Sequence, residues 1–187
     1  MKIKTIITAT FLALGLFLIM PCNTVFSGNP EQKALVGTRV NDRAPEIVLQ
    51  DPDGKVIPLS SLRGKIVLID FWASWCRPCR AENPNIVAAY NKYKDAKFKN
   101  ADGFTVYSVS LDRQKNAWLA AIQQDKLDWP NHVSDLQFWN CKAAVDYGVQ
   151  GIPMSYLIDG NGIILASGNS LRGQGLHTTI DALVKEL

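Results

Sequence analysis

Apolar runs alternate with amphipathic stretches along the chain, and this alternation predicts strands and helices in turn. Residues 66–72 are a nearly unbroken run of β-branched and aromatic side chains, which is typical of a strand buried on both faces, and 104–111 predict a second central strand. Asp70 is the one polar residue in the first run. Between the two runs, from Cys76 to near Lys99, apolar residues recur at the spacing of one helical face.

Shorter segments complete the pattern. The Asp-Pro-Asp-Gly sequence at 51–54 and the Gly-Asn pair at 160–161 are hairpin signals. We expect the first turn to join strands at 47–49 and 56–59, and the second turn to join strands at 154–159 and 162–167. We also predict a strand at 129–133 and helices at 117–124, 141–147 and 176–187. Strands that alternate with helices and end in a hairpin and a helix predict an α/β fold with a mixed central sheet.

The composition is that of a one-domain globular protein. The chain has 187 residues, of which 47% are hydrophobic and 9% aromatic, so it can fill a core and is not expected to be disordered. The formal net charge of +3 includes Lys2 and Lys4, which precede an apolar run at 6–20. Without these two lysines the chain is nearly neutral, so its charge does not indicate a nucleic-acid partner.

The first 27 residues have the layout of a secretory signal peptide. No acidic residue occurs before Glu31, and the apolar run is followed by small residues that suit cleavage after Ser27. A retained anchor is one alternative, although a run of about 15 residues is shorter than the ~20 that span a bilayer. Lipidation at Cys22 is another. We therefore expect a signal peptide or N-terminal anchor at 1–27, a linker at 28–43 and one domain at 44–187.

The chemistry of the chain is concentrated in Cys76-Arg77-Pro78-Cys79, which follows the first buried strand and begins the long helix. Free backbone N–H groups and the positive end of the helix dipole favour the thiolate of Cys76. Two cysteines three residues apart on the first turn can also form a disulfide. A dithiol that accepts or donates two electrons is the chemistry that this pattern predicts.

A metal site, a haem attachment and a structural bridge each fit the two cysteines less well. A zinc site would need two further ligands, but Cys141 stands alone, and His132 and His177 are the only histidines and do not form a ligand pair. Covalent haem attachment would need a histidine directly after Cys79, where this chain has Arg80. A purely structural disulfide remains an alternative, although a bridge across so short a loop removes little entropy from the unfolded chain.

The segment 71–80, FWASWCRPCR, resembles the active-site signature of the thioredoxin superfamily. Pro84, five residues beyond Cys79, is similar to the proline that kinks this helix in the superfamily. Gly151-Ile152-Pro153 resembles the loop that carries a cis-proline facing the disulfide. Residues 44–65 resemble the exported TlpA/ResA-like branch, which adds an N-terminal β-hairpin. Over 44–187 the resemblance implies a thioredoxin-like three-layer sandwich, with helices flanking a mixed central sheet.

The resemblance implies roles for three residues of the reaction. Cys76 is expected to be the nucleophile that attacks a target disulfide, and Cys79 to resolve the mixed disulfide, so that the pair forms a redox-active disulfide. Asp70 lies where thioredoxins place a buried aspartate that exchanges protons with the second thiol. Its burial in an apolar strand should raise its pKa. The alternative for Asp70 is a solvent-facing edge residue.

Five further residues are expected to shape the substrate site. By resemblance Pro153 is a cis-proline on the opposite wall of the groove, where it leaves the backbone of Ile152 free to pair with a bound peptide; an ordinary trans turn proline is the alternative. Trp75 and Pro78 are expected to shape the site. Arg77 adds positive charge beside the nucleophile or selects which partners dock.

The chain also departs from the pattern of its branch. Several ResA-like proteins place a glutamate where this chain has Gln50 and have no carboxylate at the position of Asp70, so the proton-handling group is expected to have moved. The branch is associated with cytochrome c maturation, and its narrow specificity for apocytochrome c is the implied property that this departure weakens. Cys141 is either an inert, buried thiol or a third redox cysteine.

The sequence therefore predicts an exported thiol–disulfide oxidoreductase that reduces protein disulfides, periplasmic or tethered to the membrane facing the periplasm. We expect no cofactor and no metal, a monomer, and a membrane thiol-electron transporter as the electron donor. The rivals are a copper carrier or a peptide-binding module without turnover, and a peroxiredoxin-like peroxidase. The peroxidase is disfavoured because Ile69 and Ala73 replace the proline and threonine that normally precede its reactive cysteine.

Overall fold

The central sheet has five strands, which we label in chain order. The computed structural model describes residues 34–186, so the predicted signal peptide or anchor, Cys22 and residues 28–33 lie outside the part described. The strands of the sheet are β3 (Ile66–Trp72), β5 (Phe104–Ser110), β6 (Asn131–Val133), β7 (Met154–Ile158) and β8 (Ile164–Ser167). Their order is β6-β5-β3-β7-β8, with β5 parallel and β7 antiparallel to β3. The prediction of a mixed central sheet is therefore confirmed.

In the part of the chain that the structure describes, four α-helices accompany the sheet, and the core lies around the adjacent strands β3 and β5. Every residue of β3 and β5 is buried, as their apolar runs predict. The helices are α1 (Arg77–Tyr93), α2 (Lys115–Gln124), α3 (Lys142–Asp146) and α4 (Gln174–Asp181). Helix α1 follows β3 directly and buries Ile86, Ala89 and Tyr93 on one face. No helix within residues 34–186 combines the length and the apolar character needed to cross a bilayer.

The predicted N-terminal hairpin is present as β1 (Val48–Gln50) paired antiparallel with β2 (Val56–Pro58). Its turn is closed by the Asp51 carboxylate, which accepts hydrogen bonds from two backbone N–H groups of the turn, and Gly54 takes a positive φ of 85° there. The hairpin is tied to the sheet, because the Tyr107 hydroxyl donates to the Ile57 carbonyl at 2.6 Å.

Both ends of the domain differ from the sequence-based expectation. The expected linker is hydrogen-bonded to the edge of the sheet in its described part, residues 34–43, since Asn41 N–H donates to the Ile164 carbonyl and Ile164 N–H to the Asp42 carbonyl. At the other end, α4 stops at Asp181, and β9 (Val184–Glu186) pairs with β4 (Lys97–Phe98). The helix predicted to reach 187 is therefore wrong in its last part.

A second correction concerns the end of the long helix predicted from Cys76 to near Lys99. The long helix α1 ends at Tyr93 rather than near 99, because the chain turns there and Phe98 is buried in the two-stranded pairing with Val184. The strand has only two residues, so the alternation of Lys97, Phe98 and Lys99 is too short to distinguish it from the end of the helix.

Candidate active site

The two motif cysteines form a disulfide at the start of α1. Cys76 is the residue that caps the helix, and its Sγ accepts a hydrogen bond from Cys79 N–H at 3.2 Å. The Cα atoms are 5.3 Å apart. Cys76 and Cys79 are 4% and 1% exposed. A sulfur that accepts a backbone N–H at the positive end of a helix is in the environment that stabilises a thiolate.

Asp70 is buried in the middle of the sheet, which excludes the solvent-facing alternative. It lies opposite Ser155 of β7, whose hydroxyl donates to Asp70 Oδ1 at 2.9 Å. Burial raises the pKa of Asp70 to about 7, the Ser155 hydrogen bond lowers it, and the charges of Glu82 and Arg172 act in opposite directions. Asp70 can therefore exchange a proton near neutral pH.

The proline loop lies beside the end of β3 that leads to the cysteines. The Ile152–Pro153 peptide bond is cis, so the trans alternative is wrong. Phe71 pairs with Met154 across β3 and β7, which places Pro153 next to the end of β3. The Pro153 carbonyl accepts a hydrogen bond from the Arg172 guanidinium, a contact that the sequence did not reveal.

The residues expected to shape the substrate site surround this region on the surface. Arg77 and Pro78 are exposed in the first turn of α1, and Ile152 is partly buried. Trp75 is 48% exposed. Its ring contacts Phe138, with centroids 5.2 Å apart.

Asp112 holds the loop before Cys76, and we did not predict it. It is 1% exposed. Its carboxylate accepts from Ser74 N–H at 3.0 Å, from the Ser74 hydroxyl at 2.5 Å and from the Ser110 hydroxyl at 2.8 Å. The available signal was an acidic residue just beyond the carboxyl end of β5, because β5 is parallel to β3 and their carboxyl ends share one edge of the sheet.

Arg80 joins the start of α1 to the end of α2. Its guanidinium forms an ion pair with Asp125, and it also donates to the Ser74 carbonyl at 3.3 Å. Asn83 Nδ2 donates to the same aspartate at 2.6 Å. Hydrogen bonding to Asp125 raises the pKa of Arg80. The first turn of α1 is thus fixed to two neighbouring segments.

The second carboxylate near Asp70 is that of Glu82. Position 50, where several ResA-like proteins place a glutamate, is a glutamine in this chain. Gln50 is exposed in β1, and its carbonyl accepts from Ser134 N–H. Glu82 lies three residues beyond Cys79, acts on Asp70 through its charge, and accepts from Gly173 N–H at 2.8 Å.

Among residues 34–186, the remaining cysteine and a buried histidine are not part of the dithiol site. Cys141 is fully buried, and burial raises the pKa of its thiol to about 11, which favours the inert alternative. Burial lowers the pKa of His132 to about 4, and its Nε2 bonds to the Leu127 carbonyl. No cluster of three or more potential metal ligands occurs within residues 34–186.

Comparison with known proteins agrees with this geometry. A family model described as the AhpC/TSA family matches residues 40–167. The thiol-disulfide oxidoreductase ResA of Bacillus thuringiensis (strain Al Hakam) is 32% identical over 127 residues, which are 68% of this chain and 68% of ResA.

Two solved structures show that the similarity extends to the fold. The thioredoxin domain of a thiol-disulfide oxidoreductase from Bacteroides vulgatus is 35% identical, with a TM-score of 0.66 and coverage of 80% of this chain and 98% of that one. The C-terminal domain of a protein from Bacteroides thetaiotaomicron is 33% identical, with a TM-score of 0.69 and coverage of 78% and 96%. The chain therefore belongs to the AhpC/TSA family and is a thioredoxin-fold thiol–disulfide oxidoreductase of the TlpA/ResA-like type.

Proposed function

We propose that this protein is exported and reduces disulfides of other proteins through the dithiol of Cys76 and Cys79. The observation that carries the proposal is the pairing of the two sulfurs at the N-terminus of α1, in a domain whose central strand buries a carboxyl group with a pKa of about 7. The first feature supplies a thiolate, and the second supplies a group that can take up a proton at neutral pH.

The reaction proceeds by two thiol–disulfide exchanges. The Cys76 thiolate attacks one sulfur of the target disulfide, a mixed disulfide forms, and the target's other sulfur leaves as a thiolate. Cys79 then loses its proton and attacks the Cys76 sulfur, which releases the second target thiolate. Two electrons pass to the target, and the protein is left with the Cys76–Cys79 disulfide.

We assign to Asp70 the uptake of the proton that Cys79 releases. With a pKa of about 7, a substantial fraction of this carboxyl group is ionised at neutral pH and can accept the proton. A water molecule between the two groups would carry the transfer. Pro153 and Ile152 form the wall on which a substrate backbone docks, while Trp75, Arg77 and Pro78 surround the disulfide.

Export and the direction of electron flow extend the proposal. The N-terminal charge and apolar pattern support export to the periplasm, with or without a retained tether. A reductant in an oxidising compartment needs its own electron supply, so we propose a membrane thiol-electron transporter as donor and a monomer as the acting species. The cysteines themselves carry the electrons, and no cofactor is required.

Substitution of each cysteine tests the mechanism. Cys76→Ser should abolish reduction of insulin disulfides, and Cys79→Ser should accumulate mixed disulfides with target proteins, because the resolving thiol is absent. Cys141→Ser is the matched control, since that thiol is buried and is expected to leave the rate unchanged. Full activity in Cys76→Ser would contradict the proposal.

The direction of electron flow is tested by the reduction potential of the Cys76/Cys79 pair. A value near the thioredoxin end of the range, about −270 mV, supports a reductant, whereas a value near −120 mV identifies an oxidant. The measurement is an equilibrium titration of the full chain against glutathione or dithiothreitol.

A further inference from the structure

Three aromatic rings form an exposed surface directly beside the dithiol, and the reaction described above does not use two of them. Trp75 contacts Phe138 at 5.2 Å and Trp139 at 6.2 Å between ring centroids. Trp75 is 48% exposed and Trp139 36%. We call Trp75, Phe138 and Trp139 the aromatic platform. Since Trp75 precedes Cys76, a protein that presents its disulfide to Cys76 must pass close to this surface.

A cavity of about 210 Å³ adjoins the aromatic platform. It is mostly apolar and is lined by Ser74, Trp75, Asp112, Arg113, Ala117 and Phe138. An apolar cavity of about 150 Å³ is large enough to bind benzene. The cavity therefore has room for one aromatic or large aliphatic side chain.

The loop that carries Phe138 is held in place by its own hydrogen bonds. The Ser134 hydroxyl donates to the Ser110 carbonyl at 2.8 Å and accepts from Leu136 N–H at 3.0 Å, which ties the loop to the end of β5. Leu136 and Phe138 both have positive φ, 58° and 57°. Such conformations are unfavourable for large side chains and concentrate at ligand-binding segments. The loop is thus built to present Phe138 in one position.

Positive charge borders the same cavity. The Arg113 guanidinium lies 4.4 Å from the centroid of the Phe138 ring. Its neighbour Asp112 is already engaged by Ser74 and Ser110. Within residues 34–186, Arg113 forms no ion pair with a carboxylate. Arg113 is therefore free to pair with an acidic group that a partner brings to the cavity.

We propose that the aromatic platform and Arg113 form a specificity pocket for target proteins. The occupant is a target segment in which the attacked cysteine is followed by an aromatic or large aliphatic residue and then by an acidic residue. The apolar side chain enters the cavity and the carboxylate pairs with Arg113. This inference rests on the proposed function, because it concerns which disulfides Cys76 attacks.

The test compares disulfide-bonded peptides that differ only after the attacked cysteine, with Phe-Asp, Ala-Asp, Phe-Lys or Ala-Lys at the two positions. The full chain in its reduced form should react about ten times faster with Phe-Asp than with Ala-Lys. Phe138→Ala should reduce the preference for Phe to less than about twofold, because it removes part of the cavity lining. Trp139→Ala should reduce it by a smaller factor, because the Trp139 ring only packs against Trp75 and Phe138. Arg113→Gln should remove the preference for Asp over Lys.

Two variants on other surfaces are the controls. Val56→Ala removes an exposed apolar side chain from β2, and Arg39→Gln removes an exposed arginine. Both should keep the wild-type ratios of rate constants. Because three different variants of the pocket are compared, failure of one of them to fold does not remove the test.

The outcomes separate this inference from the proposed function. Equal rates with all four peptides would overturn the specificity pocket and leave the disulfide reductase standing. Failure to reduce any peptide, or insulin, would overturn both. A dimer in sedimentation experiments that dissociates on Phe138→Ala would show that a second copy of this chain occupies the platform, which also contradicts the proposal.

Discussion

Two aspartates beside the catalytic helix show how one residue type serves two purposes. Asp70 is buried in the sheet with Ser155 as its hydrogen-bond donor, and its pKa is about 7. Asp125, at the end of α2, is partly buried, which alone would raise its pKa. Hydrogen bonds from Arg80 and Asn83 outweigh that burial and hold the pKa of Asp125 below its ordinary value.

The pKa values of the two aspartates differ because the nearby arginines contact different groups. Arg80 contacts Asp125 directly, so that carboxylate stays ionised and serves to fix α1. Arg172 lowers the pKa of Asp70 only as the last of four effects, and its guanidinium bonds to the Pro153 carbonyl. A carboxyl group without a bound cation remains able to gain and lose a proton near pH 7. In the mechanism proposed above, Asp70 serves the reaction at a cost to stability, while the ion pair of Asp125 serves stability.

The largest expected effect is on the pH dependence of folding. The folded pKa of Asp70, about 7, lies above the ordinary value of 3.8. Its contribution to stability is therefore fully present below about pH 4 and is lost as the pH rises towards 7. The loss amounts to about 4 kcal/mol. Asp70→Asn should remove most of it, so the variant should be more stable than the wild type at pH 8.

Urea unfolding of the oxidised protein at pH 5 and pH 8 captures about 3 kcal/mol of this loss, because part of it has already occurred by pH 5. Asp53→Asn, an exposed aspartate in the hairpin turn, is the control and should keep the wild-type difference between the two pH values. The same Asp70→Asn variant should reduce disulfides at least ~10-fold more slowly and lose the pH dependence of the rate near 7. An unchanged rate profile would remove Asp70 from proton transfer.

The second prediction concerns the ion pair between Arg80 and Asp125. Arg80→Met removes the ion pair with Asp125 and the bond to the Ser74 carbonyl, and leaves a partly buried carboxylate without its cation. We expect a loss of about 2 kcal/mol in the free energy of unfolding, measured with urea at pH 7.

The control for Arg80→Met is Lys92→Met, which removes an exposed ion pair with Asp181. Exposed pairs contribute little because water screens both charges, so the unfolding midpoint should stay within experimental error. Equal destabilisation in the two variants would mean that Arg80 is only another surface charge and that the contrast with Asp70 has a different origin.

Much of the fold could be predicted because its signals are local. The run 66–72, the two hairpin turns and the apolar face of α1 are each visible in a short stretch of sequence. The pairing of β4 with β9 was not visible, since Phe98 and Val184 are far apart in the chain and short strands carry no periodicity. The attachment of Asn41 and Asp42 to Ile164 of β8 was missed because backbone hydrogen bonds do not depend on the side-chain pattern.

The residues of the candidate site also divide into those that the sequence marks and those that it does not. Cys76, Cys79, Asp70 and Pro153 are marked by a motif and by resemblance to a family. Asp112 is marked only by its position just beyond the carboxyl end of β5, and its partner Ser74 lies in the loop after β3. Ser155 is not marked, because only the pairing of β7 with β3 brings it to Asp70. Contacts made by register can be read from a structure but not from one sequence.

The smallest predicted effect concerns such a contact. Ser155→Ala removes the hydroxyl that donates to Asp70 and stabilises its carboxylate form, so the pKa of Asp70 should rise further. The midpoint of the rate against pH should move upward by about one unit. Ser108 is the matched control, because it lies opposite Asp70 on the other neighbouring strand but its hydroxyl accepts from Trp129 Nε1 at 2.9 Å. If Ser108→Ala moved the midpoint as far as Ser155→Ala, the shift would reflect loosened packing of the sheet, and the hydrogen bond from Ser155 would have no part in tuning Asp70.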